Sequence, residues 1–350
     1  MTGPDMRADR AGSGKPSVRV ISLLPSATES LCALGGGGLL VGRSHECDFP
    51  PELGGLPELT AARTDPLASA REIDTQVRAA AESAGAGGPQ SLYTLDTRRL
   101  VELRPDVILT QDLCAVCSID VGMVRQMAAG MNPSPTVVSL NPQTVEGMLD
   151  DLYTIGRAVG LDDAALEVVT RLRERMYAAG DYANPYAAGA SVAVLEWTDP
   201  MFVGGHWTPQ LVERAGGSHP LNSTVPVAGA GGGLGPIGQT QRAAGKSVTV
   251  TPSQLVASRP EVIVIAPCGR TLAQARADAG ELRLRAQREG WWDALPAVKN
   301  QRVAVVDGNQ FFNRPGPRLV DAFEWLVGVI NQRPEVIPAG FAWEWLQDRR

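Results

Sequence analysis

Short apolar runs alternate with helical stretches along most of the chain. Residues 18–24 (VRVISLL) are apolar and rich in β-branched side chains, which suits a strand buried on both faces. Pro25 follows, and Ser26 is placed to cap a helix over residues 27–34 that the glycines at 35–38 terminate. Further strands are expected at 39–42, 107–110 and 137–140, with helix at 70–83 and 100–103. The Arg-Pro pair at 104–105 separates helix from strand, because the residue before proline is driven out of the helical region. This alternation is the pattern of a parallel sheet covered by helices on both faces.

Residues 145–179 break the rhythm. Apolar side chains recur three and four apart (Met148, Leu152, Ile155, Val159, then Leu166, Val169, Leu172, Met176), which predicts a long helix or two abutting helices. Strand signals restart at 191–195 and continue at 248–250, 262–266 and 303–306, before a closing helix at 317–330. The expected architecture is α/β, with two Rossmann-like lobes of parallel sheet joined by a long helix and a ligand cleft between them. The divisions are a disordered N-terminal segment (1–17), a first lobe (18–144), a connecting helix (145–180), a second lobe (181–332) and a C-terminal tail (333–350). An internal repeat supports two related lobes: LVELRPDVI at 100–108 matches LVASRPEVI at 255–263. The connecting helix is expected to resist bending, so the lobes should rotate only modestly about it.

Composition narrows the function. The chain has 350 residues, 32 basic and 38 acidic, and a formal charge of −6, which lacks the basic footprint of a nucleic-acid partner. The imbalance is confined to residues 1–160, with 13 basic and 19 acidic side chains against 19 of each beyond, whereas all seven Trp lie at or after Trp197. No apolar run approaches the about 20 residues needed to span a bilayer. Residues 1–17 contain no apolar export core, so the sequence as written is expected in the cytoplasm, and in the periplasm or at the cell surface if the true start differs. Five cysteines make no disulfide framework; they are expected as free thiols or ligands.

Parallel α/β sheets bind ligands at the carboxyl ends of their strands, which selects the loops 25–28, 43–51, 111–118, 196–209, 267–270 and 307–318. These hold His45, Cys47, Cys114, Cys117, His206 and Cys268, six of the eight Cys and His residues. Cys114, Cys117 and Cys268, with His45, Cys47 and His206, form a candidate set for a soft metal, and convergence of all six on the cleft is expected. The opposing reading packs the cysteines as small apolar residues. Cys47 beside His45 also suggests a nucleophile and base, although no orienting acid is legible. Gly245-Lys246-Ser247 is not a phosphate loop, because Thr240 stands where a glycine is required, and the glycine-rich run 228–235 reads as a flexible loop. Trp197, Phe202, Trp207, Phe311 and Phe312 cluster in two of the loops and suit a large flat ligand. Trp291, Trp292, Trp343 and Trp345 read as core residues on helical stretches.

Seven ordered segments carry a resemblance: 22–29 (SLLPSATE), 44–50 (SHECDFP), 71–74 (REID), 91–96 (SLYTLD), 110–117 (TQDLCAVC), 205–207 (GHW) and 313–318 (NRPGPR). Through them residues 18–330 resemble the ABC-transporter solute-binding proteins with a single helical backbone, the class III group that takes up cobalamin and iron-siderophore complexes, and its cobalamin-binding branch in particular. The resemblance implies a corrinoid, or a related metal chelate, in the cleft for transport or scavenging. The implied partners are that small molecule and a transporter permease, with the binding protein itself a monomer. The expected ligand contacts are Pro25, Ser26, His45, Cys47, Asp48, Asp112, Glu196, Trp197, His206, Trp207, Asn309, Phe311, Phe312 and Arg314. The alternative is a metal- or cofactor-dependent enzyme that uses the Cys/His loops.

Overall fold

The computed structural model describes residues 18–65, 67–85, 92–112, 119–184, 189–227 and 242–347. The segment 1–17, the run 228–235 and both Cys114 and Cys117 lie outside the described residues. The first lobe is built on a four-stranded sheet, β1 (Val20–Ser22), β2 (Leu40–Arg43), β5 (Val107–Gln111) and β6 (Thr136–Leu140), in the order β2-β1-β5-β6 and parallel throughout. A separate antiparallel pair, β3 (Thr60–Ala62) and β4 (Tyr93–Leu95), lies beside it. The first helix, α1, spans Pro25–Ala33 with Leu24 at its cap, so Ser26 sits inside the helix instead of capping it. Proline at the first helical position is preorganised for that role and lacks only an amide that would be unpaired there anyway.

In the second lobe β7 (Val192–Thr198), β12 (Val262–Ile265) and β13 (Val303–Val306) are parallel neighbours. The sheet is mixed overall, which corrects the expectation of a parallel one: β8 (Met201–Val203), β11 (Val248–Thr249) and β14 (Trp343–Trp345) all join it antiparallel. The C-terminal tail is therefore part of this lobe, and Trp343 and Trp345 lie on a strand. The hairpin between β7 and β8 leaves no room for a crossover helix, so those strands cannot be parallel.

The internal repeat is a structural one. Arg104 and Arg259 both adopt left-handed backbone, φ 44° and 47°, ending a helical turn before proline. Asp106 then accepts a hydrogen bond from the Arg19 amide at 2.8 Å and Glu261 from the Ser191 amide at 3.2 Å, each at the entry to the neighbouring strand. The pair β1/β5 thus corresponds to β7/β12.

Residues 145–180 form two helices, α5 (Val145–Val159) and α6 (Asp162–Gly180), divided at Gly160, whose φ of 74° is open to glycine without strain. This is the second of the two expected forms, two abutting helices rather than one. Rigidity comes from the core around them. Strand residues alternate between two faces: Val20, Val107 and Leu109, with Val192, Val194, Val262, Val264 and Val306, face one continuous cluster that also contains the apolar sides of α1, α5 and α6 and the helix α11 (Leu319–Ile330). Ile21 and Ile108 face a smaller cluster behind the first sheet, and Leu195, Ile263 and Ile265 another behind the second. Both faces of each sheet are buried, which is why the strands read as unbroken apolar runs.

The buried His219 yields a test of the fold. Its Nε2 accepts from the Val194 amide at 3.3 Å, and burial depresses its pKa from 6.5 to about 4. The unfolded chain takes up this proton near 6.5 while the folded chain refuses it until about 4, so folding stability falls as pH is lowered through that window. Urea titrations of wild type and His219→Gln should show a smaller acid loss in the variant; equal slopes would remove His219 as a cause.

Candidate functional site

The first wall of the cleft is made by the loops that leave β1, β2 and β5. Leu23, Leu24 and Pro25, with Ser44, Glu46, Thr60, Tyr93, Gln111 and Ile119, line a cavity of about 20 Å³, room for about one water. Thr60 Oγ1 organises this wall: it lies 2.8 Å from Ser44 Oγ and 2.6 Å from His45 Nδ1, and it accepts from the His45 amide at 3.1 Å. Tyr93 donates its hydroxyl to Glu46 Oε1 at 2.8 Å and sets its ring 5.5 Å from the His45 imidazole.

The facing wall carries Glu196 and Trp197 at the end of β7, and His206 before α7 (Trp207–Arg214). Gly205 lets the backbone of Lys246 and Ser247 lie against it, since a Cβ there would fall 2.3 Å from the Ser247 nitrogen. Burial raises the Glu196 pKa to about 7 even though Ser247 and the Gly205 amide bond the carboxylate. His206 has a left-handed φ of 54°, and its Nδ1 lies 2.8 Å from Gln143 Oε1, across the cleft. Burial, with the charge of Lys246, lowers its pKa and keeps the ring neutral. Each of the two imidazoles has Nδ1 held by a side chain, leaving Nε2 as the remaining ring nitrogen.

At one end of the cleft the lobes are joined by charge. The loop after β13 sends Arg314 and Arg318 onto α1. Glu29 receives Arg318 through both carboxylate oxygens, at 2.8 and 2.5 Å, and Arg314 at 3.0 Å. Arg314 also reaches Asp48 at 2.6 Å, and Asn309 bonds both Asp48 and Arg314. Two acids and two bases thereby balance in one cluster, where Glu29 and Arg314 have only 2% and 7% of their side chains exposed. Burial opposes the charge on Asp48, but the Arg314 hydrogen bond holds its pKa below the ordinary value; Arg314 is held above its own by Asp48 and Glu29 despite burial. Arg318 also covers the Phe49 ring at 4.2 Å.

The structure separates the sequence-expected residues into groups. Pro25 lines the small cavity of the first lobe, His45 follows β2, Glu196 and Trp197 end β7, His206 precedes α7, Ser26 is buried beneath the approaching Gly316, and Asp112 is exposed with its amide donating to Asn141. Asp48, Asn309 and Arg314 come together, with one another as partners. Phe311 and Phe312 do not face the cleft, which corrects that expectation: both are in the core, Phe311 stacked on Phe341 at 3.9 Å and Phe312 edge-on to Trp325. Trp207 is buried beside them, its indole donating to the Phe312 carbonyl at 2.7 Å. A C-terminal strand that packs against this loop gives these rings their apolar partners, and the sequence offered no sign of it.

Among the described cysteines, Cys47 packs as a small apolar residue, as the opposing reading expects. Cys47 is buried, accepts from Thr28 Oγ1 at 3.0 Å, and has its pKa pushed up to about 11 by burial. His45 bonds Thr60 instead, so the two residues do not form a nucleophile and base. Cys268 is exposed, and among the described residues no three of His, Cys, Asp and Glu gather as a metal site, so His45, Cys47, His206 and Cys268 do not share one. Sequence reasoning passed over Glu29, Arg318, Thr60, Tyr93 and Gln143. Only Glu29 and Arg318 left a signal, as the single charged residue of its helix and a second arginine four residues after Arg314.

Removing one partner of a buried ion pair strands the other, so Glu29→Ala should reduce stability by about 3–5 kcal/mol. Arg98→Ala, which breaks an exposed pair with Glu102, should change it by about 0.3–0.5 kcal/mol. Denaturant unfolding measures both, and a Glu29 effect no larger than the Arg98 effect would mean that the cluster does not hold the lobes. Gly308 supplies a second test: a Cβ there would sit 1.9 Å from the Pro267 carbonyl oxygen. Gly308→Ala should therefore destabilise the protein by about 1–3 kcal/mol, read from the same titration.

No family model and no curated protein matches the sequence. Solved structures do match the fold. The periplasmic vitamin B12 binding protein BtuF of Vibrio cholerae is 18% identical, with a TM-score of 0.60 over 91% of this chain and 99% of that one. The periplasmic heme-binding protein RhuT from Roseiflexus sp. RS-1 is 19% identical, with a TM-score of 0.61 over 91% and 99%. An ABC transporter substrate-binding protein from Listeria monocytogenes EGD-e is 14% identical, with a TM-score of 0.58 over 91% and 100%. The chain therefore has the two-lobed α/β fold of the periplasmic solute-binding proteins.

Proposed function

We propose that the protein binds a metal chelate of the tetrapyrrole class, a corrinoid such as cobalamin, between its lobes and passes it to an ABC-transporter permease. The observation that carries this reading is the pair of half-buried imidazoles on opposite walls, His45 and His206, each tied at Nδ1 and each with Nε2 left over. A nitrogen so prepared is a ligand for the axial position of a chelated cobalt or iron. Trp197 and Tyr93 add aromatic surface at the same walls, which suits the face of a large flat ring. The likeness to binding proteins for vitamin B12 and for heme supports this ligand class, and the seven motifs favour the corrinoid within it. Delivery to a permease places the protein in the periplasm or at the cell surface.

Purified protein should shift the visible spectrum of cobinamide or cobalamin. A ligand at a hundred times its Kd should stabilise the fold by about 2.7 kcal/mol, because it binds only the folded state. His206→Ala should weaken the spectral shift more than the thermal stabilisation. Heme in place of cobinamide separates the two chelates, and no change with either at saturation would overturn the proposal.

A further inference from the structure

We infer that residues 67–73 are the gate of the cleft and that the Glu29–Asp48–Arg314–Arg318 cluster is its fixed end; this rests on the reading that a ligand enters between the lobes. Two of the cross-lobe attachments differ sharply in how they are made. At the cluster, both guanidinium groups and the Glu29 carboxylate are held at 11% exposure or less, and the half-exposed Asp48 completes the pairing. On the other side a short strap of the first lobe crosses to the second and offers mainly backbone: the Ala68 carbonyl accepts from Arg270 at 2.6 Å, and the Ala70 carbonyl accepts from the Trp197 indole at 3.1 Å. Its side chains contribute Arg71 on Asp199, at 2.9 and 3.2 Å, with the Arg71 side chain 72% exposed.

The receiving surface is rigid. Asp199 is held from its own lobe by Arg285 at 2.5 Å, and Arg270 by the buried Asp278 at 3.1 Å, with its guanidinium over the Trp197 ring. The strap is not. Leu67 is 84% exposed, and Ala70 is the only buried residue among the described ones from 67 to 82, so the helix α2 (Ala70–Gly85) adds only Ala70 to the core through its described side chains. Ser69 and Glu72 bond each other at the start of this helix, which keeps the strap folded when it lifts. Local opening proceeds first where little apolar surface is buried and hydrogen bonds face solvent. The strap meets that description and the charged cluster does not, so the cleft opens by lifting of the strap while the cluster stays closed.

The test uses the full chain with Arg71→Met, which removes the strap's ion pair with Asp199 and alters no residue expected to touch the ligand. Amide hydrogen exchange at residues 67–73 should quicken about twofold to fivefold, while exchange at 309–318 stays as in wild type. With cobinamide as the probe, association and dissociation should both accelerate while the Kd changes by much less. Equal acceleration at 309–318 would mean that the lobes part as whole bodies, and unchanged exchange at 67–73 would mean that this ion pair restrains nothing; either result overturns the gate. If the exchange pattern appears but neither cobinamide nor heme binds, the gate stands and the ligand reading falls. A Glu29→Gln control should raise exchange at 309–318 and leave 67–73 less affected.

Discussion

The constraint on which the rest depends is a single apolar core shared by both sheets. One face of each packs against the same group of helices, α1, α5, α6 and α11 among them. Neither sheet could leave that arrangement without exposing the valines and leucines that face it, at roughly 1.5–3 kcal/mol for each buried side chain. The shared core fixes the lobes' mutual orientation. It also brings the carboxyl ends of β1, β2 and β5 opposite those of β7, β12 and β13, where residues that serve no core can meet.

The polar chemistry follows from that placement. Helix α5 shows the coupling directly: the Val145 amide at its start is capped at 2.8 Å by Gln210 of the second lobe, and Glu146 pairs with Arg214 of the same helix α7. The connecting region thus belongs to both lobes, and bending between α5 and α6 is opposed by packing on either side of Gly160. What freedom remains lies at the cleft edges, where contacts are few and exposed.

Within the cleft the two walls are chemically related but not equivalent. Each presents one imidazole with a fixed Nδ1 and one aromatic neighbour. The second wall adds Glu196, whose pKa of about 7 makes its charge sensitive to small changes in solvation around neutrality. A ligand that excludes water there would favour the neutral acid, whereas a cationic group would favour the carboxylate. The charge state of this one residue therefore ties the wall to whatever occupies it.

The sequence by itself determined the α/β class, most of the strands and the loops that form the cleft, because apolar runs buried on both faces leave a continuous signal and strand ends are marked by proline and glycine. It also carried the repeat at Arg104 and Arg259, since Arg-Pro after a helical turn imposes the same local geometry twice. It did not determine where the side chains in those loops aim. Phe311 turned inward because the strand Trp343–Trp345, distant in sequence, returns to pair with β13 and brings Phe341 beneath it, and Phe312 did so against Trp325 of the closing helix. Cys47 turned toward Thr28, and His45 toward Thr60, on partners 19 and 15 residues away. The meeting of Glu29 with Arg314 and Arg318, 285 and 289 residues apart, exists only once the core has set the lobes face to face. Local periodicity specifies which face of an element is buried; partners of this range are chosen by packing.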